Sequence, residues 1–408
     1  MKLLSVDTIE EARAKILESA QLWQLKTENV PLDAIQGRIL AEDLYASCDI
    51  PGFSRATVDG YAVLAADTAG AGESIPVFLK KAGSVIMGSA ANFPIRSGEC
   101  ASVPTGAMLP IGADAVVMTE YCEINGAAIA VYEALAPGSG LAEAGEDCKA
   151  GDLLLRKGTV IRPQEIGALA AAGIFNPKVY SPLKFGIIST GDEIIPVDQI
   201  PRPGEIRDIN THALKALAQQ KGYHVIDTRV LPDEETVLET FVKEAIAVSD
   251  IVLISGGSSQ GEKDYTAAII DRLAKPGLIT HGLAIRPGKP TIIGRDDASK
   301  TLLVGLPGHP VSAMMVFEIL FGWLSQQLFT ITPPLPYLAK LSCNVPGSPG
   351  KTVILPVILS LEEGIYSAQP VFGKSGMITT LTRANGYIII DMNKEGMSKG
   401  DTVMVYLF

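Results

Sequence analysis

The sequence predicts a multidomain α/β plus β protein, and three observations carry that prediction. Between residues 182 and 329, apolar runs alternate with helical patterns, as in a doubly wound α/β domain whose parallel sheet is covered on both faces. Ahead of it, from residue 50 to 145, short β-rich runs are separated by Gly, Pro and Asp turns. After it, from residue 335 to 408, further apolar or alternating runs lie between glycine turns. The 408 residues suffice for roughly two to four domains, and 40 Gly with 26 Pro argue against an all-helical bundle.

The elements follow in order. Residues 8–25 predict a helix: Thr8 and Glu11 fit a capping box, and Ile9, Ala12, Ile16, Ala20 and Trp23 recur at helical spacing. A short segment, 33–46, leads to Pro51-Gly52. The β-rich unit contains runs at 61–64, 75–79, 115–118 and 128–131 and has the character of a distorted barrel. Residues 163–173 return to helix, closed by Gly173, so a helical platform is split by an inserted β domain. In the α/β part, strands are predicted at 185–189, 224–230, 251–255, 291–294 and 302–306. Helices are predicted from Asn210, read as a cap, to Gly222, and at 234–247, 265–274 and 311–328. The last runs, 353–359, 387–391 and 402–406, predict a separate small barrel or sandwich.

Composition removes several classes of function. The net charge is −11, and the densest basic stretches are pairs such as Lys80-Lys81, so nucleic acid is not the expected partner. The five cysteines, Cys48, Cys100, Cys122, Cys148 and Cys343, are odd in number and lack CxxC spacing. Free thiols are expected rather than a disulfide framework or a zinc site. The four histidines form no HExxH pattern. The apolar run before Asp7 is too short for a signal peptide, and the most apolar stretch, 311–324, is interrupted by Ser312 and Glu318. A cytoplasmic protein without a membrane partner is expected.

Ligands of open α/β sheets bind beyond the carboxyl ends of the strands. That rule selects Thr190-Gly191-Asp192-Glu193, Asp233, the loop Ser255-Gly256-Gly257-Ser258-Ser259-Gln260-Gly261-Glu262-Lys263-Asp264, and Pro307-Gly308-His309-Pro310. Glycines let a backbone approach an anion closely, and amides with serine hydroxyls can wrap a phosphate ahead of a helix. The spacing is neither GxGxxG nor Walker A, which disfavours a dehydrogenase or a P-loop NTPase. Asp192, Glu193 and Asp264 beside such a cradle would repel phosphate unless a divalent cation intervened, and Mg²⁺ takes one or two carboxylates plus phosphate oxygens. Asp233 fits helix capping as well as it fits chemistry. Arg286-Pro287-Gly288-Lys289-Pro290 holds two cations suited to an oxyanion, or forms a solvated turn. Asp59, in an Asp-Gly turn, and the Pro104-Thr105-Gly106 and Gly145-Glu146-Asp147 turns are ambiguous.

Seven runs, in order, resemble the molybdopterin molybdenumtransferase family, to which the C-terminal region of gephyrin also belongs. They are IPGFSRATVDGYAV, VPTGAMLPIGADAVVMTE, AGEDCKAGD, STGDEI, SGGSSQGEKDY, RPGKPT and GLPGHPVSA. The resemblance spans residues 5–408 and is loose over the last 75 or so. It implies a helical N-terminal domain at 1–48 and 146–180, a β-rich insert at 49–145, an α/β molybdopterin-binding domain at 181–330 and a C-terminal β-barrel at 331–408. It also implies a homodimer whose site is shared between subunits.

The implied reaction is Mg²⁺-dependent cleavage of adenylyl-molybdopterin, release of AMP and ligation of molybdate by the dithiolene. By position, the resemblance places Asp59, Thr105, Asp147, Glu193, Asp233 and Asp264 on acid or hydroxyl positions important in the family. It places Pro307, Pro310 and Ser375 near substrate or molybdate. Ser255, Gly256, Gly257, Ser258, Gly261, Arg286, Lys289 and Gly308 complete the expected binding set, and Asp192, Glu193 and Asp264 the metal set. Gly282 stands where family members often carry lysine, Arg286 replaces a lysine, and Lys351 an arginine. A tungstate-inserting variant and a gephyrin-like scaffold are the alternatives. The scaffold would want a linker and a trimerising module, and neither is present in these residues.

Overall fold

The structure, a computed structural model, describes residues 6–256 and 265–408. Contacts divide the chain into two compact units, one of Met1–Glu28, Gly37–Ala41 and Val179–Phe408, the other of Asn29–Gln36 and Glu42–Lys178.

The first unit is organised by a six-stranded sheet. Its strands are Lys184–Thr190 (β1), His224–Leu231 (β2), Ile251–Ser255 (β3), Pro276–His281 (β4), Ile292–Asp296 (β5) and Thr301–Leu306 (β6), in the spatial order β2-β1-β3-β6-β5-β4. Every residue of β3 and β6 is buried, which is why these strands read as unbroken apolar runs rather than alternating ones. β2, β1, β3 and β6 are parallel. β5 pairs antiparallel with both β6 and the edge strand β4, so β5 runs against the other five, a departure from the all-parallel expectation. The reason is the connection: only residues 297–300 join β5 to β6, far short of the dozen or so that a parallel crossover needs. Asp296 tightens that turn by accepting from Ser299 N (2.9 Å) and Ser299 Oγ (2.6 Å).

Helices Asn210–Gln220 (α1), Glu235–Val248 (α2) and Tyr265–Leu273 (α3) cross between strands. The helix Pro310–Phe329 (α4), with a π turn at Glu318–Gly322, follows β6. By length and composition α4 would suffice to cross a bilayer, but most of it is buried inside the protein. Its Phe317 and Phe321 lie 6.1 and 5.5 Å from the Phe185 ring, which stacks at 4.5 Å on Tyr223. This aromatic knot fixes α4, and with it the loop that enters α4, against the sheet.

Strands Tyr337–Leu341, Thr352–Glu362, Ile365–Pro370, Gly386–Ile390 and Thr402–Leu407 close into a five-stranded barrel, because Thr352–Glu362 also pairs with Gly386–Ile390. The short strand Ile285–Arg286 adds to the barrel alongside Thr352 and Val353. The helix Ile9–Ala20 belongs to this unit. Its Thr8–Glu11 capping box is present, with bonds of 2.8 and 3.2 Å, and it stops before residue 25 because Leu22 and Trp23 turn back onto Ser19 and Ala20.

The second unit holds a six-stranded sheet ordered Ala115–Met118, Gly60–Val63, Glu99–Val103, Val77–Ser84, Ala128–Val131, Cys122–Asn125. The two outermost strands do not pair with each other among the described residues, so the sheet is open. The helix Pro163–Ala171 belongs here, and the segment 33–46 contributes only a 3₁₀ turn at Leu32–Ala34 and the strand Leu44–Tyr45. All five cysteines are free, and burial pushes the Cys100 and Cys122 thiols up to about 11 and about 12.

Phe185→Ala removes the centre of the aromatic knot. It is expected to destabilise the protein by about 3–5 kcal/mol, read as a lower midpoint of denaturant unfolding.

Candidate active site

The register of the parallel strands makes the site. Ser189 pairs with Ser255, and Ser255 with Leu306, so β1, β3 and β6 end flush and deliver three loops to one edge. At the end of β1, Thr190 Oγ1 donates to Asp233 Oδ1 (2.5 Å), and Asp233 N donates to Asp192 Oδ1 (3.0 Å). Gly191 N donates to Leu231 O (3.1 Å). The Glu193 carboxylate folds over Gly191: Oε2 lies 2.8 Å from where a Cβ on Gly191 would be. Asp192, Glu193 and Asp233 therefore share one rim. The capping explanation for Asp233 fails, because α2 begins after Glu234, which makes no side-chain cap bond, and the Asp233 carboxylate is engaged by Thr190.

Gly256 follows Ser255 with φ +111°, and a Cβ there would stand 2.0 Å from Thr190 O. Only glycine lets the two loops cross so closely. Gly308 rests on Gly256, with the Gly256 Cα 3.7 Å from a Gly308 Cβ position. Gly257, Ser258, Gly261 and Asp264 lie outside the described residues.

Pro310 opens α4 and Pro307 is buried. His309 stands at the cap position without capping; its Nδ1 is 2.8 Å from Ser375 Oγ, and Val311 N donates to Ser375 O (3.1 Å). The structure thus brings Ser375, from the barrel, to the Pro307–Pro310 loop. Arg286 and Lys289 are exposed, and neither forms an ion pair among the described residues. Their loop is fixed by Leu283 N to Lys289 O (2.9 Å) and by Gly288, φ +112°, whose Cβ position lies 2.5 Å from Val316 Cγ2. Gly282 has φ +105° and bonds to Thr291 O and Asp7 N. A lysine there would be strained, so its absence is tied to the local backbone.

In the second unit, Asp59 Oδ1 accepts from Thr105 N (2.7 Å) and Thr105 Oγ1 (2.9 Å). Gly60 follows because a Cβ would lie 1.8 Å from Val117 O, which gives the Asp-Gly pair a steric reason beyond turn preference. The bonds from Thr105 hold the Asp59 carboxyl below its ordinary value. Asp147 lies elsewhere in this unit: its amide donates to Ile50 O (3.0 Å), and among the described residues it bonds neither Asp59 nor Thr105. No group of three or more His, Cys, Asp or Glu suited to a metal occurs among the described residues.

One residue of this edge reads from the sequence only as a helix cap. Asn210 is the first residue of α1, and its Nδ2 donates to Ser255 Oγ (2.7 Å) and Gly308 O (2.7 Å). The available signal was a polar pair, Asp208 and Asn210, in a segment that the α/β pattern buries.

These features define an α/β protein whose candidate ligand edge lies at the carboxyl ends of its parallel strands. Residues 7–173 match the family described as MoeA N-terminal region (domain I and II), 186–326 the probable molybdopterin binding domain, and 338–408 the MoeA C-terminal region (domain IV). Molybdopterin molybdenumtransferase of Haemophilus influenzae is 32% identical, covering 98% of each chain. The Bacillus subtilis protein of the same name is 32% identical, covering 94% of this chain and 90% of that one. A molybdopterin biosynthesis MoeA protein of Pyrococcus horikoshii superimposes with a TM-score of 0.83 at 32% identity, covering 99% of this chain and 100% of that one. The chain belongs to the molybdopterin molybdenumtransferase (MoeA) family.

Two outcomes are expected. Thr105→Val removes one donor to Asp59, so its carboxyl pKa rises toward the ordinary value in a carbon-detected NMR titration. Because the folded value is depressed, the favourable interaction is present above the unfolded pKa and fades as pH falls through the folded one. Gly256→Ala meets Thr190 O in a left-handed backbone and is expected to destabilise by about 1–3 kcal/mol, measured by thermal unfolding.

Proposed function

We propose that this protein is a molybdopterin molybdenumtransferase: it cleaves adenylyl-molybdopterin, releases AMP and delivers molybdate to the dithiolene. The observation that carries this reading is the convergence of Thr190–Glu193, Asp233, Ser255–Gly256 and Pro307–Pro310 at one strand edge, within a family whose named members are such transferases. Backbone amides and serine hydroxyls on this edge suit a phosphate, since charge-assisted hydrogen bonds are worth roughly 1.5–3 kcal/mol each.

Mg²⁺ belongs to this proposal. The residues fit it: Asp192 and Glu193 sit on the rim, and Mg²⁺ needs only one or two protein carboxylates when phosphate oxygens supply the rest. When bound it would neutralise charge on the phosphoanhydride. Asp233, held by Thr190 and itself holding Asp192, orients that carboxylate. Arg286 and Lys289, exposed and without ion-pair partners among the described residues, supply positive charge for an oxyanion, and Ser375 a hydroxyl beside the Pro307–Pro310 loop. A cytoplasmic homodimer, sharing its site between subunits through Asp59 and Thr105, and the domain limits 1–48 with 146–180, 49–145, 181–330 and 331–408 complete the reading.

The test is mass spectrometry of the small molecules released when the protein meets adenylyl-molybdopterin, Mg²⁺ and molybdate. AMP and a molybdenum-ligated pterin are expected; an intact adenylyl-molybdopterin would overturn the reading. Competition with tungstate in the same mixture separates a tungstate-inserting variant. Glu193→Gln is expected to lose most turnover; full turnover at saturating Mg²⁺ would remove Glu193 from the metal role.

A further inference from the structure

We infer that Asn210 is a positioning residue that locks the Ser255–Gly256 loop to the Pro307–Gly308 loop, and thereby sets the spacing between the parts of the site that hold the two reactants. The inference rests on the functional reading above and deepens it.

A primary amide nitrogen has two N–H groups. In Asn210 both are used, one on Ser255 Oγ and one on Gly308 O, each at 2.7 Å. The orientation of the amide is unambiguous, because a reversed group would set its oxygen against the Gly308 carbonyl. Helix capping does not explain the residue: Asn210 is already inside α1, Ile209 occupies the cap position, and the nearby N-terminal amide of Thr211 is taken by Asp208 Oδ1 (3.2 Å). Asn210 is 7% exposed, and its Oδ1 is buried without a hydrogen-bond partner among the described residues. Its two N–H bonds tie oxygens of two different loops together, so the side chain acts on loop position rather than on the start of its own helix.

The two anchored segments follow β3 and β6, neighbours whose register ends together at Ser255 and Leu306. Beyond those residues no ladder joins the strands: Gly256 N reaches Leu306 O at 3.4 Å and Ser255 Oγ reaches Pro307 O at 3.5 Å, both longer than the two 2.7 Å bonds of Asn210. Gly308 touches Gly256 through backbone alone. The Asn210 bridge therefore takes over where the sheet stops. On the functional reading, Ser255–Gly256 faces the phosphate and Pro307–Pro310, joined to Ser375, faces the oxyanion. A small drift between them misaligns the reactants, which lowers the rate more than the binding of either.

The experiment compares wild type, Asn210→Ala, Asn210→Asp, Ser255→Ala and the double variant Asn210→Ala/Ser255→Ala, measuring kcat, KM for adenylyl-molybdopterin and for molybdate, and Tm. Asn210→Ala is expected to lower kcat by about 10- to 100-fold, with each KM within about threefold and Tm nearly unchanged. Asn210→Asp, of the same size but with an acceptor facing Gly308 O, is expected to lose at least as much. The double variant is expected to lose less than the product of the two single losses, since the bond between Asn210 and Ser255 is shared, although Ser255→Ala also gives up the 3.5 Å bond to Pro307 O. Unchanged kcat in Asn210→Ala, additive losses, or losses that only follow failure to fold in every variant would overturn the inference. A wild-type protein that releases no AMP would sink the reaction reading alone. The bridge is then decided by amide hydrogen exchange without ligand: faster exchange at both 255–256 and 307–309 in Asn210→Ala supports it, and a change in one segment or neither overturns it.

Discussion

The structure of the site depends on a steric constraint at one crossing of the backbone. Gly256 passes Thr190 so closely that a single methyl would collide with a carbonyl oxygen. Because β1 and β3 are adjacent and end in register, this crossing places the acidic turn after β1 beside Ser255 and Gly256 at the end of β3. Around this crossing the neighbouring polar groups bond one another. Thr190 serves Asp233, Asp233 serves Asp192, and Asn210 serves both Ser255 and Gly308. The described part of the rim is built on strand ends, which is where an α/β sheet can place small and charged residues without disturbing its core.

The barrel is not an appendage to this arrangement. Ile285–Arg286 joins its sheet, and Ser375 bonds His309 and Val311 at the start of α4. Two of its contacts therefore land on the loops that carry the exposed cations and the Pro307–Pro310 turn. The barrel acts as a buttress that determines where Arg286 and Ser375 stand relative to the sheet edge.

Much of this was legible in the sequence, for physical reasons. Buried parallel strands such as 251–255 announce themselves as unbroken apolar runs, and the loops after them follow from the rule for open sheets. What was not legible depended on contacts distant in sequence. The antiparallel edge at 276–281 and 292–296 follows from a connection too short for a crossover, visible only once both strand ends are known. Asn210 read as a cap because local pattern cannot tell an amide that serves its own helix from one that reaches residues 45 and 98 positions away. Asp233 is balanced between capping and chemistry on sequence, and only the fold shows that its carboxylate accepts from Thr190 rather than capping α2. The pairing of Asp59 with Thr105, and the steric demand at Gly60, likewise needed the fold of the second unit.

The apolar helix α4 has a consequence for how the chain is made. A segment this hydrophobic, emerging alone, is prone to aggregation or capture by a membrane. Here all six strands of the sheet, and the Phe185 and Tyr223 rings that receive it, precede it in the chain. During synthesis the helix therefore leaves the ribosome after its docking face has been made, and the order of elements along the polypeptide shelters the most vulnerable one.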